Sequence, residues 1–175
     1  MHLVIGLGGN VGDVPHAFTA ATAGLARELR VLACSALWRS APLGPEQPDF
    51  LNAALLVESD IRPLAVLALA QRLEAAAGRD RAGEARWGPR PLDLDLLLVP
   101  GLIVESAALT LPHPRLAERR FALAPAAEVA PDWLHPRRHR TLAALAALPA
   151  LLAQRCERVG PFPAATEGAG PAAGC

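Results

Sequence analysis

An α+β fold, with a βαββαβ core and an antiparallel sheet flanked by helices, is what the alternation of strand-like and helix-like segments in this chain predicts. Three observations carry that reading. A short apolar strand opens the chain and runs into a helix. Two further apolar runs follow, separated only by a proline-rich loop. A second amphipathic helix then precedes a leucine-rich strand. At 175 residues the chain has the length of one domain with a sizeable core.

Taken in order, His2 to Leu7 is the first strand, and it ends in Gly6-Leu7-Gly8-Gly9-Asn10-Val11-Gly12-Asp13. This stretch begins like a dinucleotide fingerprint, but Val11 stands where the third glycine belongs, and no Gly-Lys-Ser/Thr follows. A tight strand-to-helix connection is its simplest reading, with a direct nucleotide role as the alternative. Pro15 to Arg30 is a helix, with Asp13 as its N-cap. Val31 to Ser40 reads as a strand from its β-branched and apolar character. Residues 41–49 hold three prolines and a glycine and form a loop. Phe50 to Glu58 is the next strand. Arg62 to Ala77 is an amphipathic helix with Pro63 in its first turn and Gly78 as its stop. A strand from Leu92 to Leu98 follows. Ile103 to Leu111 holds a further short strand, and 116–124 and 141–148 are short helices. From Gly160 the chain is low in complexity. We expect one domain over 1–158 and a disordered tail over 159–175. The order β-α-β-β-α-β is the ferredoxin-like arrangement.

Formal net charge is zero, so nothing in the charge balance calls for nucleic acid. No stretch approaches a membrane span, and the first residues read as a strand rather than a signal peptide. The cysteines, Cys34, Cys156 and Cys175, are odd in number and scattered. That argues against a disulfide framework or a zinc site and for a reducing, cytoplasmic setting. The chain contains no lysine. Any phosphate clamp must therefore be built from arginine, histidine, backbone N–H groups and metal.

The most informative run is Leu92-Asp93-Leu94-Asp95-Leu96-Leu97-Leu98. On a strand, Asp93 and Asp95 point to one face, roughly 7 Å apart at Cα, while Leu92, Leu94 and Leu96 point to the other. Two carboxylates on one apolar strand repel each other and desolvate poorly, so a cation should sit between them. The preceding loop supplies four arginines, Arg79, Arg81, Arg86 and Arg90, together with Trp87. Arginines beside paired carboxylates point to Mg²⁺ and a polyphosphate. The segment from Arg79 to Pro91 has few apolar residues and several like charges, and we expect it to act as a lid that polyphosphate orders. His113 is held between Pro112 and Pro114, a setting that suits a structural role as well as a ligand-binding one. Phe50 and Phe121 belong to a chain with four Phe and no Tyr; the simplest reading of each is core.

Several motifs in order resemble the hydroxymethyl-dihydropterin pyrophosphokinase family of folate biosynthesis. They are the glycine-rich run 6–13, Trp38-Arg39-Ser40-Ala41-Pro42-Leu43-Gly44-Pro45, Gln47-Pro48-Asp49-Phe50-Leu51-Asn52-Ala53, Gly78-Arg79-Asp80-Arg81, the stretch from Arg86 to Asp95, and Leu111-Pro112-His113-Pro114-Arg115 through Arg119-Arg120-Phe121. The resemblance runs from about Val4 to Pro136. It implies that ATP donates its diphosphate to the hydroxymethyl group of the dihydropterin and leaves as AMP. By the same resemblance, Asp93 and Asp95 hold two Mg²⁺ ions, and Arg79, Arg81, Arg86 and Arg90 clamp phosphates. Gln71, Glu74, Trp87, Leu96, His113 and Arg119 belong to the ATP site. Phe50 and Phe121 sandwich the pterin, Asn52 reads its amide edge, and Ser40, Leu43 and Asp93 complete its site. Phe50 stands where some relatives have tyrosine, which keeps the stacking face. Ala41 stands where proline is frequent.

The chemistry asks mainly for positioning and charge neutralisation. We expect a monofunctional monomer acting on two small molecules, with no nucleic acid and no membrane partner. Two other classes compete: a non-catalytic pterin- or nucleotide-binding relative, and a different Mg²⁺-dependent transferase on the same core. Retention of Asp93, Asp95, Arg79 and Arg90 argues against the first, and Phe50, Asn52 and Phe121 against the second.

Overall fold

The computed structural model describes residues 1–79 and 88–163. Strand β1 (His2–Gly9) leads into helix α1 (Val14–Leu25). Strands β2 (Arg30–Cys34), β3 (Leu37–Ser40) and β4 (Phe50–Glu58) follow, then helix α2 (Pro63–Ala76) and strand β5 (Asp93–Leu98). Two small hairpins come next in the chain, β6 (Val104–Glu105) with β7 (Thr110–Leu111), and β8 (Leu134–His135) with β9 (Arg140–Thr141). Helix α3 (Arg120–Val129) lies between them, and α4 (Leu142–Ala146), α5 (Pro149–Leu152) and the edge strand β10 (Cys156–Gly160) complete the described chain.

The main sheet runs β10-β3-β4-β1-β5, with β2 also paired to β4. Every pairing is antiparallel. If β2 and β3 are counted as one interrupted strand, the βαββαβ arrangement read from the sequence is the core of the fold. Alternation along β1 divides the two faces. Leu3, Ile5 and Leu7 pack with Phe18, Leu25, Val66, Leu69, Leu94 and Leu96 beneath α1 and α2. Val4 packs with Ala54, Leu97, Leu98, Leu116 and Leu123 beneath α3 and α4. Fully buried side chains such as Phe18, Leu25 and Leu55 each contribute about 1.5–3 kcal/mol of hydrophobic burial.

Local chemistry explains most boundaries. The Asp13 carboxylate accepts from His16 N at 3.0 Å, and Pro15 lies in the first turn, so α1 starts where expected. It ends at Leu25 rather than Arg30, in turns closed by Ala26 N to Thr22 O and Leu29 N to Leu25 O. Helix α2 matches its expected range to within a residue at each end, and Gly78, at φ +89°, terminates it.

Elsewhere the structure departs from expectation. The single strand expected over 31–40 is broken at Ser35 and Ala36. There the Ser35 hydroxyl takes Ala54 N at 2.9 Å, and Glu128 of α3 takes Ala36 N at 2.7 Å. A partner from a distant helix satisfies the amide that the break would orphan. The glycine-rich run is mostly not a turn: Gly6, Gly8 and Gly9 lie within β1. The helix expected over 116–124 is one 3-10 turn, Leu116–Glu118, followed by α3, which continues through Pro125 to Val129. Strands β8, β9 and β10 lie outside the elements that the sequence predicts. Strand β10 carries ordered structure to Gly160, and Phe162 stacks on Phe18 at 6.4 Å between ring centroids. The expected boundary at 158/159 therefore falls inside a strand; residues 164–175 lie outside the described chain. Cys156 is a free buried thiol, pushed up to about 11 by burial.

A β-carbon on Gly9 would lie 2.6 Å from the Pro91 carbonyl oxygen, a backbone atom that cannot swing away. Gly9→Ala is therefore expected to lower stability by about 1–3 kcal/mol, read as a lower urea midpoint. A midpoint equal to that of the parent would show that the 88–91 segment yields freely.

Candidate active site

The site lies on the α3 face of the sheet, at the end where β1 loses its side chains. Val4 fills the space under the helix, whereas Gly6, next on the same face, makes room for the Leu97 side chain, and Gly8 leaves the space open. The cavity that results is lined by Gly6, Gly8, Ser40, Leu43, Phe50, Asn52, Arg90, Asp93, Asp95, Arg119 and Phe121, among others. Strand registry explains this gathering. Gly8 pairs with Asn52 on one side and with Asp93 on the other, and Gly6 pairs with Ala54 and Asp95.

Asp93 and Asp95 share the cavity face, as the alternation predicts, and Leu94 and Leu96 are buried on the opposite face. The expected cation is present but placed differently. Arg79 Nη1 donates to Asp93 Oδ1 and, at 2.6 Å, to Glu74 Oε1. Arg90 Nη1 donates to Asp93 Oδ2 at 3.0 Å. Both arginines thus serve Asp93, and neither bridges the two aspartates. Among the described residues, Asp95 makes no hydrogen bond or ion pair. Burial, with repulsion from Asp93 and Glu74, pushes its carboxyl up to about 7.

Glu74 is only 1% exposed, the fourth member of a buried stripe with Val66, Leu69 and Ala70. Its Oε1 also accepts from Leu94 N at 2.8 Å. Helix α2, Arg79 and strand β5 are therefore tied at one carboxylate. Such a buried pair stabilises only while complete, and losing one partner costs about 3–5 kcal/mol.

Arg119, just before α3, places its guanidinium 5.5 Å from the Phe121 ring centroid. Its pKa is lowered by burial and by Arg115, against the raising effect of Asp95 and Asp93. His113 N donates to Leu97 O at 2.7 Å, and its Nδ1 accepts from Arg115 N at 3.3 Å. Burial, then Arg119, lowers the His113 pKa, which favours the neutral ring. Its Nδ1 being an acceptor leaves Nε2 as the protonated nitrogen.

On the other side of the cavity, Phe50 and Phe121 come from β4 and α3. Asn52 Nδ2 donates to Ser40 Oγ at 3.0 Å. The Asn52 Oδ1 lies on the cavity side beside Gly8, where it can accept from a ligand N–H. Leu43 is 51% exposed at the rim.

Of the residues proposed from sequence, these lining groups come together. Gln71 is exposed on α2, and Leu96 turns its side chain into the core on the opposite face, so neither is among the residues that line the cavity. Arg81, Arg86 and Trp87, and most of the expected lid, lie outside the described residues. Asn10 has a structural role that its sequence context alone does not predict. Its Nδ2 donates to Gln47 Oε1 at 2.9 Å and Pro48 O at 3.0 Å, and its Oδ1 accepts from Arg90 N at 2.9 Å. It joins the 44–49 loop to Arg90, bracing both sides of the cavity. Its one sequence signal is its place directly after the glycines, at the end of the strand.

The sequence model of a family described as 7,8-dihydro-6-hydroxymethylpterin-pyrophosphokinase matches residues 4–131. The chain belongs to this pyrophosphokinase family. A 2-amino-4-hydroxy-6-hydroxymethyldihydropteridine pyrophosphokinase of Synechocystis sp. is 41% identical over 141 residues, covering 79% of this chain and 71% of the relative. The enzyme of the same name from Methylorubrum extorquens is 43% identical over 131 residues, covering 73% and 82%. A solved structure of Plasmodium falciparum HPPK-DHPS superposes with a TM-score of 0.64 at 12% identity, over 83% of this chain and 43% of that longer one. At that identity the superposition speaks for the fold, which is the family's ferredoxin-like one.

The cavity face of this pyrophosphokinase-family chain carries unbalanced charge. Asp95 folds with a carboxyl raised from 3.8 to about 7. The resulting destabilisation is absent below about pH 4, grows as pH rises to 7 and is complete above it. In chelator-treated protein, Asp95→Asn is therefore expected to raise stability at pH 8 by on the order of 1–2 kcal/mol after solvent screening, and the gain should vanish near pH 4. Thermal melts across that range provide the check; a variant less stable than its parent at pH 8 would contradict this electrostatic assignment.

Proposed function

We propose that this cavity carries out the pyrophosphokinase reaction of the family, with Mg²⁺-ATP as donor and 6-hydroxymethyl-7,8-dihydropterin as acceptor. One observation carries the reading: a single opening joins the carboxylate pair Asp93/Asp95 to two aromatic rings and an amide, the features that a polyphosphate with metal and a flat heterocycle each require. The donor set suits magnesium, which binds through one or two carboxylates and substrate phosphates. Asp95, raised and unpaired among the described residues, is a carboxylate short of positive charge.

In this reading Asp93 and Asp95 hold two Mg²⁺ ions. When bound, the metal supplies charge neutralisation on phosphate oxygens and lowers the pKa of the acceptor hydroxyl. Arg79 and Arg90, which now neutralise Asp93, offer guanidinium forks suited to phosphate oxygens, as does Arg119 with neutral His113 beside it. Phe50 and Phe121 orient the ring between them, with Asn52 Oδ1 and Ser40 at its polar edge. The acceptor hydroxyl then gives up its proton to water as its oxygen bonds to the β-phosphorus of ATP, the bond from that phosphorus to the α–β bridging oxygen breaks, and AMP leaves. No side chain becomes covalently attached. Among the described residues no helix is long and apolar enough to cross a membrane; a cytoplasmic monomer is part of the proposal. Arg81, Arg86 and Trp87 are proposed to complete the ATP site.

A coupled assay for AMP with ATP, Mg²⁺ and the hydroxymethyl-dihydropterin tests the reaction. Asp93→Asn and Asp95→Asn should each lower kcat by at least about 100-fold, the scale of losing a transition-state charge contact, with circular dichroism unchanged. Production of ADP instead of AMP, or near-parental turnover by either variant, would refute the assignment.

Stacking makes a separate expectation. Phe50→Ala and Phe121→Ala should each weaken pterin binding by about 1–3 kcal/mol, by analogy with base–aromatic stacking, and leave ATP binding nearly unchanged. Equal losses for the two ligands in calorimetric titrations would mark the rings as core residues.

A further inference from the structure

Three glycines punctuate the end of β1, and the protein's own packing accounts for two of them. A β-carbon on Gly9 would press on the Pro91 backbone oxygen at 2.6 Å, and one on Gly6 would meet Leu97 Cδ1 at 3.1 Å. Gly8 differs. A β-carbon there would lie 3.7 Å from Asn52 Oδ1 and 3.8 Å from Asp93 Cβ, ordinary van der Waals distances. Its φ is not positive either; among the described residues the positive-φ glycines are Gly12, Gly44, Gly78 and Gly101. Neither backbone conformation nor internal packing requires glycine at position 8. Glycine inside a strand is nonetheless destabilising, and it commonly marks close approach of a ligand or another backbone.

The empty space above Gly8 belongs to the cavity. Gly8 lies on the cavity wall, in register with Asn52 of β4 on one side and Asp93 of β5 on the other. These are the two residues between which an acceptor must stretch, with its amide edge at Asn52 and its hydroxymethyl group toward Asp93. We propose that Gly8 is a specificity-determining residue: the bicyclic ring of the acceptor, its faces held between Phe50 and Phe121, sets its edge over β1 at this point, and the missing side chain is the floor that admits it. The inference rests on the proposed pterin reading and adds the surface over which the ring is seated. A methyl group here fits the protein and takes the space of the ligand. Position 8 is therefore one where glycine is retained for an occupant at some cost to the strand.

Gly8→Ala is the test, because the empty protein should tolerate it. Thermal melts of the ligand-free variant should give a Tm equal to or above that of the parent. Titration with a non-hydrolysable ATP analogue and Mg²⁺ should give a Kd within about twofold of the parent, since the floor is distant in role from the phosphate clamp. Titration of 6-hydroxymethyl-7,8-dihydropterin into the protein saturated with that analogue should show Kd weakened by at least about tenfold, and KM for the pterin should rise in the AMP assay. A variant that binds pterin as the parent does overturns the inference and leaves the proposed function standing. A fall in Tm overturns it too, since Gly8 would then serve the fold. If the parent itself binds no pterin under these conditions, the proposed function falls and the inference with it.

Discussion

The Arg79 guanidinium, caught between Glu74 and Asp93, is the contact on which the site depends. Glu74 is buried on α2 and also holds the Leu94 amide of β5. Arg79 reaches from just beyond the end of α2 to the first residue of that strand. A buried carboxylate needs a cation, and a guanidinium with 7% side-chain exposure needs a counter-charge and partners for its several N–H groups, which Glu74 and Asp93 both supply. Each group thus fixes the others. Rigid placement of Asp93 follows, and with it the alignment of Asp93, Gly8 and Asn52 across three strands.

Around that anchored point the charges are deliberately unequal. Asp93 has two arginine partners, whereas Asp95, two residues along the same face, has none among the described residues. Among the described residues Arg119 likewise faces the carboxylates without an ion pair, and burial, then Arg115, lowers its pKa. Such a surface is poorly satisfied when empty. It is well matched to a ligand carrying several negative charges together with a divalent cation, which would settle Asp95 and Arg119 at once. Preorganised charge of this kind stabilises reacting groups without reorganisation, and its cost is borne by the free protein. On the proposed reading, Gly8 opposite makes the same exchange in shape rather than charge.

Much of this was legible in the chain because it depends on local periodicity. The two-residue alternation placed Asp93 and Asp95 on one face and the leucines on the other, and the caps and stops around Asp13, Pro63 and Gly78 set helix ends to within a few residues. The motif order identified the family and most of the lining residues. Glu74 could have been flagged as a buried charge from its spacing behind Val66, Leu69 and Ala70. What the sequence by itself determined was therefore the order of the core βαββαβ elements, the face that Asp93, Asp95 and the leucines beside them take, and the chemical types in the site. Tertiary structure alone decided which arginine meets which aspartate, that Asn10 braces two loops, that Glu128 satisfies the break between β2 and β3, and that Gly8 lies between Asn52 and Asp93. Those outcomes depend on registry between strands far apart in the chain and on which buried polar group finds a partner first. Neither is encoded within a window of neighbouring residues.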